Sequence, residues 1–224
     1  MPRHPRQSLA LVVVLSVVSP TALTGQELTV STETVAIPTE LTEPLRALLQ
    51  PDTSVVMRDA NRLEIWWVKA IALDSAPQGA PSWSNVPDGA LVGAMRVAQP
   101  LTDARGYTIK PGVYTLRFAL QPQDGDHLGV SPYRQFLLVA PAVDDQAPDA
   151  LGFKGAVALS KKTLGKSHPS TLSLDPPVAN QSAGTPVTND AGHKGIVFSV
   201  PIAVQGNRAG SIAFGLTFVG VYEH

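Results

Sequence analysis

Apolar and polar residues alternate along much of this chain, and the alternation restricts the possible folds more than any other feature. It is clearest where Tyr114, Leu116 and Phe118 fall on one parity. Successive side chains of a β-strand point to opposite faces of the sheet, so a period of two indicates a half-buried strand. Thr115 and Arg117 have the opposite parity and are expected on the outward face.

Similar short runs recur along the chain and are separated by Gly, Pro, Asn and Asp residues that favour turns. Two helices are indicated. One begins at Thr42-Glu43-Pro44, where the threonine hydroxyl is expected to cap the helix, and stops at Pro51. The other covers Phe153–Leu164. The expected strands are 28–37, 54–57, 62–73, 90–99, 107–109, 113–120, 133–140, 170–174, 196–204 and 211–222, with the last two joined by a turn at Gly206-Asn207-Arg208.

This pattern predicts an all-β fold, an antiparallel β-sandwich of the immunoglobulin-like or jelly-roll-like kind with one or two short helices. A β-barrel is the alternative. With 20 prolines and only 16% charged residues among 224, the chain does not resemble a coiled coil or a disordered tail. Residues 26–224 are expected to form one domain with a long mobile loop near 175–193.

Residues 1–25 have the pattern of a secretory signal peptide. Arg3 and Arg6 form a basic start, and Leu9–Val18 is an apolar run. That run is too short to span a bilayer, which requires about 20 residues. Cleavage is expected near Thr24-Gly25, and an uncleaved N-terminal anchor is the alternative.

The chain contains no cysteine, which excludes disulfides, thiolate metal sites and a cysteine nucleophile. Small secreted eukaryotic domains usually depend on disulfides, so export without cysteine favours a bacterial periplasm or the secreted space. No later segment reaches transmembrane length, so the mature chain is expected to have none. The 17 basic residues against 18 acidic ones show no electrostatic signature of nucleic-acid binding.

Signatures of known enzyme classes are missing from the sequence. It has no nucleophile elbow, H-E-x-x-H, phosphate-binding loop or dinucleotide fingerprint. A non-catalytic protein is therefore favoured, although acids from distant segments could still assemble a glycosidase site.

The loop after the Tyr114 strand contains the densest group of polar residues, Asp124, Asp126 and His127. Carboxylates and an imidazole suit a divalent cation such as Ca²⁺, Zn²⁺ or Cu²⁺, or a polar ligand. The alternative is a turn in which the aspartates accept backbone hydrogen bonds. Tyr133 and Arg134, at the end of the loop, complete a candidate ligand-binding surface.

Two further histidines, His168 and His193, lie in loops. Either could meet His127 and Asp126 at a copper or zinc site, although no pair has the H-x-H or i, i+4 spacing typical of metal ligands. His168 precedes Pro169 and could simply fix an extended backbone. No cofactor other than a possible divalent metal is expected.

Trp66 and Trp67 are adjacent in a predicted strand, so their indoles must lie on opposite faces of the sheet. Trp67 follows the more apolar parity and is expected in the core. Trp66 is then either covered by a helix or loop, or exposed as a platform for a sugar or a protein partner, with Trp83 beside it.

The segment Ile109–Arg117 (IKPGVYTLR) resembles the Pro-Gly-x-Tyr-x-Leu strand entry of exported bacterial sandwich domains. Asp124–Gly129 and Ser167-His168-Pro169 are similar to segments of uncharacterised secreted bacterial proteins. The resemblance implies a β-sandwich and export, but no activity.

Three functional hypotheses follow from these observations. The first is a non-catalytic exported protein that binds a ligand, or a protein or glycan partner, through loops at one end. The second is a metal-dependent protein or enzyme that uses His127 with His168 or His193. The third is a carbohydrate-binding module that uses Trp66 or Trp83.

Overall fold

The computed structural model describes residues 27–122, 133–176 and 181–222, and strands predominate among them. Two short α-helices accompany the strands, so the all-β class is confirmed. The predicted signal peptide lies outside the described residues. The elements are β1 (Leu28–Thr34), α1 (Glu43–Leu48), β2 (Leu49–Arg58), β3 (Asn61–Val68), β4 (Ile71–Leu73), β5 (Leu91–Val97), β6 (Leu101–Thr102), β7 (Thr108–Ile109), β8 (Gly112–Leu120), β9 (Gln135–Pro141), α2 (Gly152–Leu164), β10 (Ser170–Asp175), β11 (Pro186–Thr188), β12 (Lys194–Val204) and β13 (Asn207–Val219).

Ten strands form one continuous hydrogen-bonded path in the order β1-β2-β3-β5-β8-β9-β10-β13-β12-β11. Each neighbouring pair on this path is antiparallel. The short strand β4 adds to β12 in parallel. A separate two-stranded ladder joins β6 to β7.

Strand β10 carries the path from one half of the sheet to the other. Residues Ser170–Ser173 pair with β9, whereas Leu174 and Asp175 pair with β13. The sheet curls at this point, so the indole centroid of Trp67 on β3 lies 4.9 Å from the ring centroid of Phe198 on β12. The two halves therefore share one apolar core.

The inward parity predicted from the alternation is confirmed. Tyr114, Leu116 and Phe118 are buried in β8. The apolar parity of the closing hairpin is buried as well, at Ile196, Phe198, Val200, Ile202, Ile212, Phe214, Leu216 and Phe218.

Thr115 and Arg117 lie on the outward face of β8, as expected, but this face is not open to solvent, because both residues are fully buried. The outer face of this part of the sheet is covered by the segment after β9 and by α2. Apolar contacts between Ala156 of α2 and both Ala119 and Leu138 form a second, smaller core on that face.

The guanidinium of Arg117 is held by acceptors on all sides. Its Nε and one terminal nitrogen donate to the two carboxylate oxygens of Asp145, each at 2.7 Å. The remaining N–H groups donate to the carbonyls of Gly89, Ala147 and Asp149. Asp145 is therefore part of a buried ion pair.

Two predicted elements differ in extent from those observed. The single strand expected over 62–73 divides at Lys69-Ala70 into β3 and β4, which join opposite halves of the sheet. Helix α1 begins where predicted but ends at Leu48, so that Pro51 lies within β2, and the Thr42 hydroxyl makes no capping hydrogen bond. Helix α2 matches its prediction to within one residue.

Two further predictions are corrected towards the end of the chain. The loop expected over 175–193 contains the short strand β11, while residues 177–180 within it lie outside the described residues. The final hairpin turns at Gln205 and Gly206, one residue earlier than expected, with φ values of 49° and 79°. Positive φ at both positions is typical of a type I′ hairpin turn. No helix in the described part of the chain is long and apolar enough to cross a membrane.

Gly89, in the loop that precedes β5, lies close to the backbone of Leu151 and Gly152. Its φ is +78°, and a Cβ there would lie 2.7 Å from the backbone nitrogen of Gly152 at the start of α2. Gly192 has the same φ of +78°, with nothing within 4 Å of the corresponding Cβ position. The two glycines therefore share one backbone strain and differ in the space around them.

We predict that Gly89→Ala lowers the free energy of unfolding by about 1–3 kcal/mol more than Gly192→Ala does, because only Gly89 adds a steric clash to the strain. Urea denaturation of the two variants and the parent measures the difference. Equal losses would show that α2 does not rest tightly on Gly89.

Candidate functional site

The candidate loop after β8 has a well-defined base. Its central residues Asp124, Asp126 and His127 lie outside the described residues. At the base, the backbone amide of Gln121 donates to the backbone carbonyl of Arg134 at 2.7 Å. The Arg134 Nε and one terminal guanidinium nitrogen donate back to the backbone carbonyl of Gln121 at 3.1 and 2.9 Å. Arg134, predicted to bind ligand, thus closes the loop base, and we call these three bonds the loop clamp.

The end of the sheet that carries this loop includes other polar groups. The backbone amide of Leu120, the last residue of β8, donates to the Asp88 carboxylate at 3.0 Å. Ser173 on β10 pairs with Phe136 on β9, so the final residue of β10, Asp175, lies at the same end of the sheet as the loop clamp. Tyr133 is half-buried beside the clamp.

Asp175 is the centre of a buried polar cluster on the outer face. The residue is only 7% exposed. One carboxylate oxygen accepts hydrogen bonds from the hydroxyls of Ser173 at 3.1 Å and Tyr222 at 3.4 Å. The other oxygen accepts from the Thr217 hydroxyl at 2.8 Å and from the side-chain NH₂ of Asn189 at 3.1 Å. These five residues are called the Asp175 cluster below.

The neighbours of Asp175 are all neutral donors, and no ion pair reaches it within the described part of the chain. A carboxylate that is removed from water loses its hydration, and four hydrogen bonds offset only part of that cost. A polar group retained at such a cost is a reasonable candidate for a functional role.

Two segments close over the Asp175 cluster. The Asn189 carboxamide oxygen accepts from the backbone amides of Ala191 and His193, each at 3.0 Å, which leaves its NH₂ directed at Asp175. The Tyr222 backbone amide donates to the Ala104 carbonyl at 3.0 Å and anchors the end of the described chain. The His193 ring packs edge-on against the Tyr222 ring, with centroids 4.5 Å apart.

Burial raises the pKa of the Tyr222 phenol above its ordinary value, and the nearby Asp175 charge raises it further. The hydrogen bond with Ser173 opposes this shift. The phenol is therefore held neutral and can donate to the carboxylate. His193, which packs on Tyr222 beside the Asp175 cluster, has its Nδ1 buried without a hydrogen-bond partner in the described structure.

The described residues include no group of three or more His, Asp or Glu side chains that could hold a metal ion. His168 lies in the turn between α2 and β10, and His193 packs on Tyr222. His127 and Asp126 lie outside the described residues, so the predicted meeting of these four side chains stays a prediction.

The exposed-tryptophan interpretation is wrong, and the covered alternative is confirmed for Trp66. Its side chain is 0% exposed, its indole donates to the Val35 carbonyl at 3.1 Å, and the Arg96 guanidinium lies 5.3 Å from its ring centroid. Trp83 is 8% exposed and stacks on Phe118 at 4.9 Å. Neither indole presents an open face to a sugar, because each is covered by neighbouring chain segments.

The sequence analysis identified His193 but missed Asp175 and its four partners. A partial signal existed, since Ser173 and Asp175 have the outward parity of β10 and Thr217 has that of β13. The pairing of Leu174 with Leu216, which brings these strands together, follows from the tertiary fold and not from either segment alone.

Searches against family models, curated proteins and solved structures each give no match to this chain.

We predict that Tyr222→Phe lowers the free energy of unfolding at pH 8 by about 1 kcal/mol, through loss of a hydrogen bond to Asp175. Because the pKa of Tyr222 is raised in the folded state, the unfolded chain ionises first. The contribution of the neutral Tyr222 phenol to the free energy of unfolding is complete below about pH 10 and is lost as the pH rises through the raised pKa. The variant should therefore lose less stability than the parent between pH 9 and 11.

Urea denaturation across this pH range measures the effect, and Tyr114→Phe is the matched control. Burial also raises the pKa of Tyr114, but its hydroxyl donates to the Lys110 carbonyl and lies outside the Asp175 cluster. We expect the losses in free energy of unfolding caused by Tyr222→Phe and by Tyr114→Phe to add when both changes are combined. An unchanged high-pH slope in Tyr222→Phe would contradict the assignment.

Proposed function

We propose that this chain is an exported, non-catalytic β-sandwich protein that binds a ligand, or a protein or glycan partner, through the loops at one end of the sheet. The two halves of the curled sheet serve as the two layers of the sandwich. Contact between Trp67 of β3 and Phe198 of β12 across a shared core supports this description. The path of hydrogen-bonded strands begins at β1 and ends at β11, and two separate end strands favour a sandwich over a closed sheet.

The loop clamp is the observation on which the binding proposal depends. Arg134 makes two bonds to the Gln121 carbonyl, and both stems continue directly into paired strands. Binding loops are most effective when a rigid scaffold fixes their ends, since less order must be gained on binding. The loop carries Asp124, Asp126 and His127, a combination suited to cations and to hydroxyl or amine groups.

The nearby Asp175 cluster adds a second group of polar side chains at the same end of the sheet. Its carboxylate is held in a fixed orientation, and the adjacent, half-buried His193 has a nitrogen without a partner in the described structure. Two polar groups fixed at one end of a β-scaffold favour recognition of a polar ligand there.

The loop proposal is tested with the variants Asp124→Ala/Asp126→Ala and His127→Ala. The control, Asp52→Ala/Asp74→Ala, removes two exposed carboxylates elsewhere. Each protein is titrated with CaCl₂, ZnCl₂, CuCl₂ and a panel of neutral and acidic oligosaccharides while its unfolding is followed. A specific ligand at 100 times its Kd stabilises the parent by about 2.7 kcal/mol.

We expect the loop variants to lose this stabilisation and the control to retain it. A Zn²⁺ or Cu²⁺ response that disappears in His127→Ala would favour the metal-dependent alternative. The binding proposal fails if no probe stabilises the parent, or if the loop and control variants lose the response equally.

Export is tested by expressing the full chain in a Gram-negative host and separating periplasm, medium and cytoplasm. We expect a mature form that begins near Thr24-Gly25, identified by mass spectrometry of the intact protein. Val14→Arg interrupts the apolar run and should leave the precursor in the cytoplasm. Recovery of the uncleaved parent chain in the cytoplasm would refute export.

A further inference from the structure

Two cationic side chains converge on the ring of Tyr107, near the end of β10 opposite to Asp175. The Lys166 ammonium lies 4.0 Å from the ring centroid, and the Arg105 guanidinium carbon lies 6.0 Å from it. The two positive charges are therefore at most about 10 Å apart, the sum of these distances, and repel each other.

The turn that presents Arg105 and Tyr107 is rigid. The buried carboxylate of Asp103 accepts hydrogen bonds from the backbone amides of both residues, at 3.0 and 2.8 Å. Ala104 donates its amide to the Thr171 carbonyl at 2.8 Å, which fastens the turn to β10. The positions of Arg105 and Tyr107 thus follow from the main chain and do not depend on a salt bridge.

Lys166 is delivered by the end of α2. Gly165 ends the helix with a φ of 61°, and its amide donates to the Lys161 carbonyl at 3.0 Å. The left-handed glycine turns the chain sharply, which places the next residue, Lys166, over Tyr107. The cation pair is therefore assembled by two independent elements.

Neither cation has an anionic partner in the described residues. The salt bridges there involve other side chains, and Arg105 Nε is buried from solvent without a hydrogen-bond acceptor. A buried guanidinium N–H without an acceptor is uncommon, because a buried donor that makes no hydrogen bond costs free energy. The Asp103 carboxylate is occupied by backbone amides and by the Ser170 hydroxyl.

We propose that Arg105, Tyr107 and Lys166 form a binding site for the oxyanion group of a small ligand, either a carboxylate or a phosphate. The Arg105 guanidinium supplies directed donors and Lys166 supplies a compact positive charge, the combination by which proteins hold such groups. The phenol ring gives a flat apolar surface beside the charges, suited to a sugar or another ring that bears the anionic group. This site is separate from the loop at the other end of the sheet and does not depend on the function proposed for it.

The test is a titration of the ¹⁵N-labelled full chain with sodium phosphate and, separately, with sodium glucuronate. Sodium chloride keeps the ionic strength constant, because surface electrostatics alone would respond to salt. The NMR signals of Arg105 Nε–H and of the Tyr107 backbone amide report binding. We expect saturable shifts with at least one of the two anions, and the anion that saturates identifies the ligand group.

The variants are Arg105→Gln and Lys166→Gln, with Lys154→Gln as the matched control. Lys154 lies in the first turn of α2, about 15 Å from the last helical residue, Leu164, at 1.5 Å per residue. We expect a loss of affinity of about tenfold or more in the first two variants and less than about twofold in the control. The proposal is wrong if neither anion gives a saturable shift in the parent, or if all three variants bind equally.

Discussion

The change of partners along β10 is the constraint on which the rest of this structure depends. Four residues of the strand pair with β9 and the last two pair with β13, so one sheet bends until its halves face each other. The bend brings Trp67 and Phe198 into contact, and burying a large aromatic side chain contributes about 1.5–3 kcal/mol. It also leaves Asp175 at the corner, where its partners can come from three separate segments.

The centre of the sheet is covered on its outer face as well as its inner one. Arg117 and Asp145 make this possible, since a bidentate ion pair and three carbonyl acceptors satisfy every guanidinium N–H. Removing one partner of a buried ion pair leaves the other charge uncompensated and costs about 3–5 kcal/mol. The segment after β9 is thereby held against β8, and α2 is placed over Ala119 and Leu138.

The alternation of residues was enough to predict most strands and the inward set of β8, because the parity of Tyr114, Leu116 and Phe118 is a local property. The order of the strands was not, since it depends on contacts between segments far apart in the chain. Arg117 has the same local pattern as an exposed arginine, and Asp145 follows another aspartate in a proline-rich loop, so neither suggested burial. The Asp175 cluster escaped for a similar reason, because its members extend from Ser173 to Tyr222.

The parallel pairing of β4 with β12 has a consequence for how the chain acquires its structure. Ile71 on β4 meets Ile202 on β12, and part of the core is supplied by β12 and β13, which follow the other strands along the chain. Contacts between residues so distant in sequence form slowly, because a long loop must close before they contribute. A nascent chain that ends before Lys194 therefore lacks the buried apolar side chains of β12 and β13, and its interior stays incomplete until that hairpin emerges.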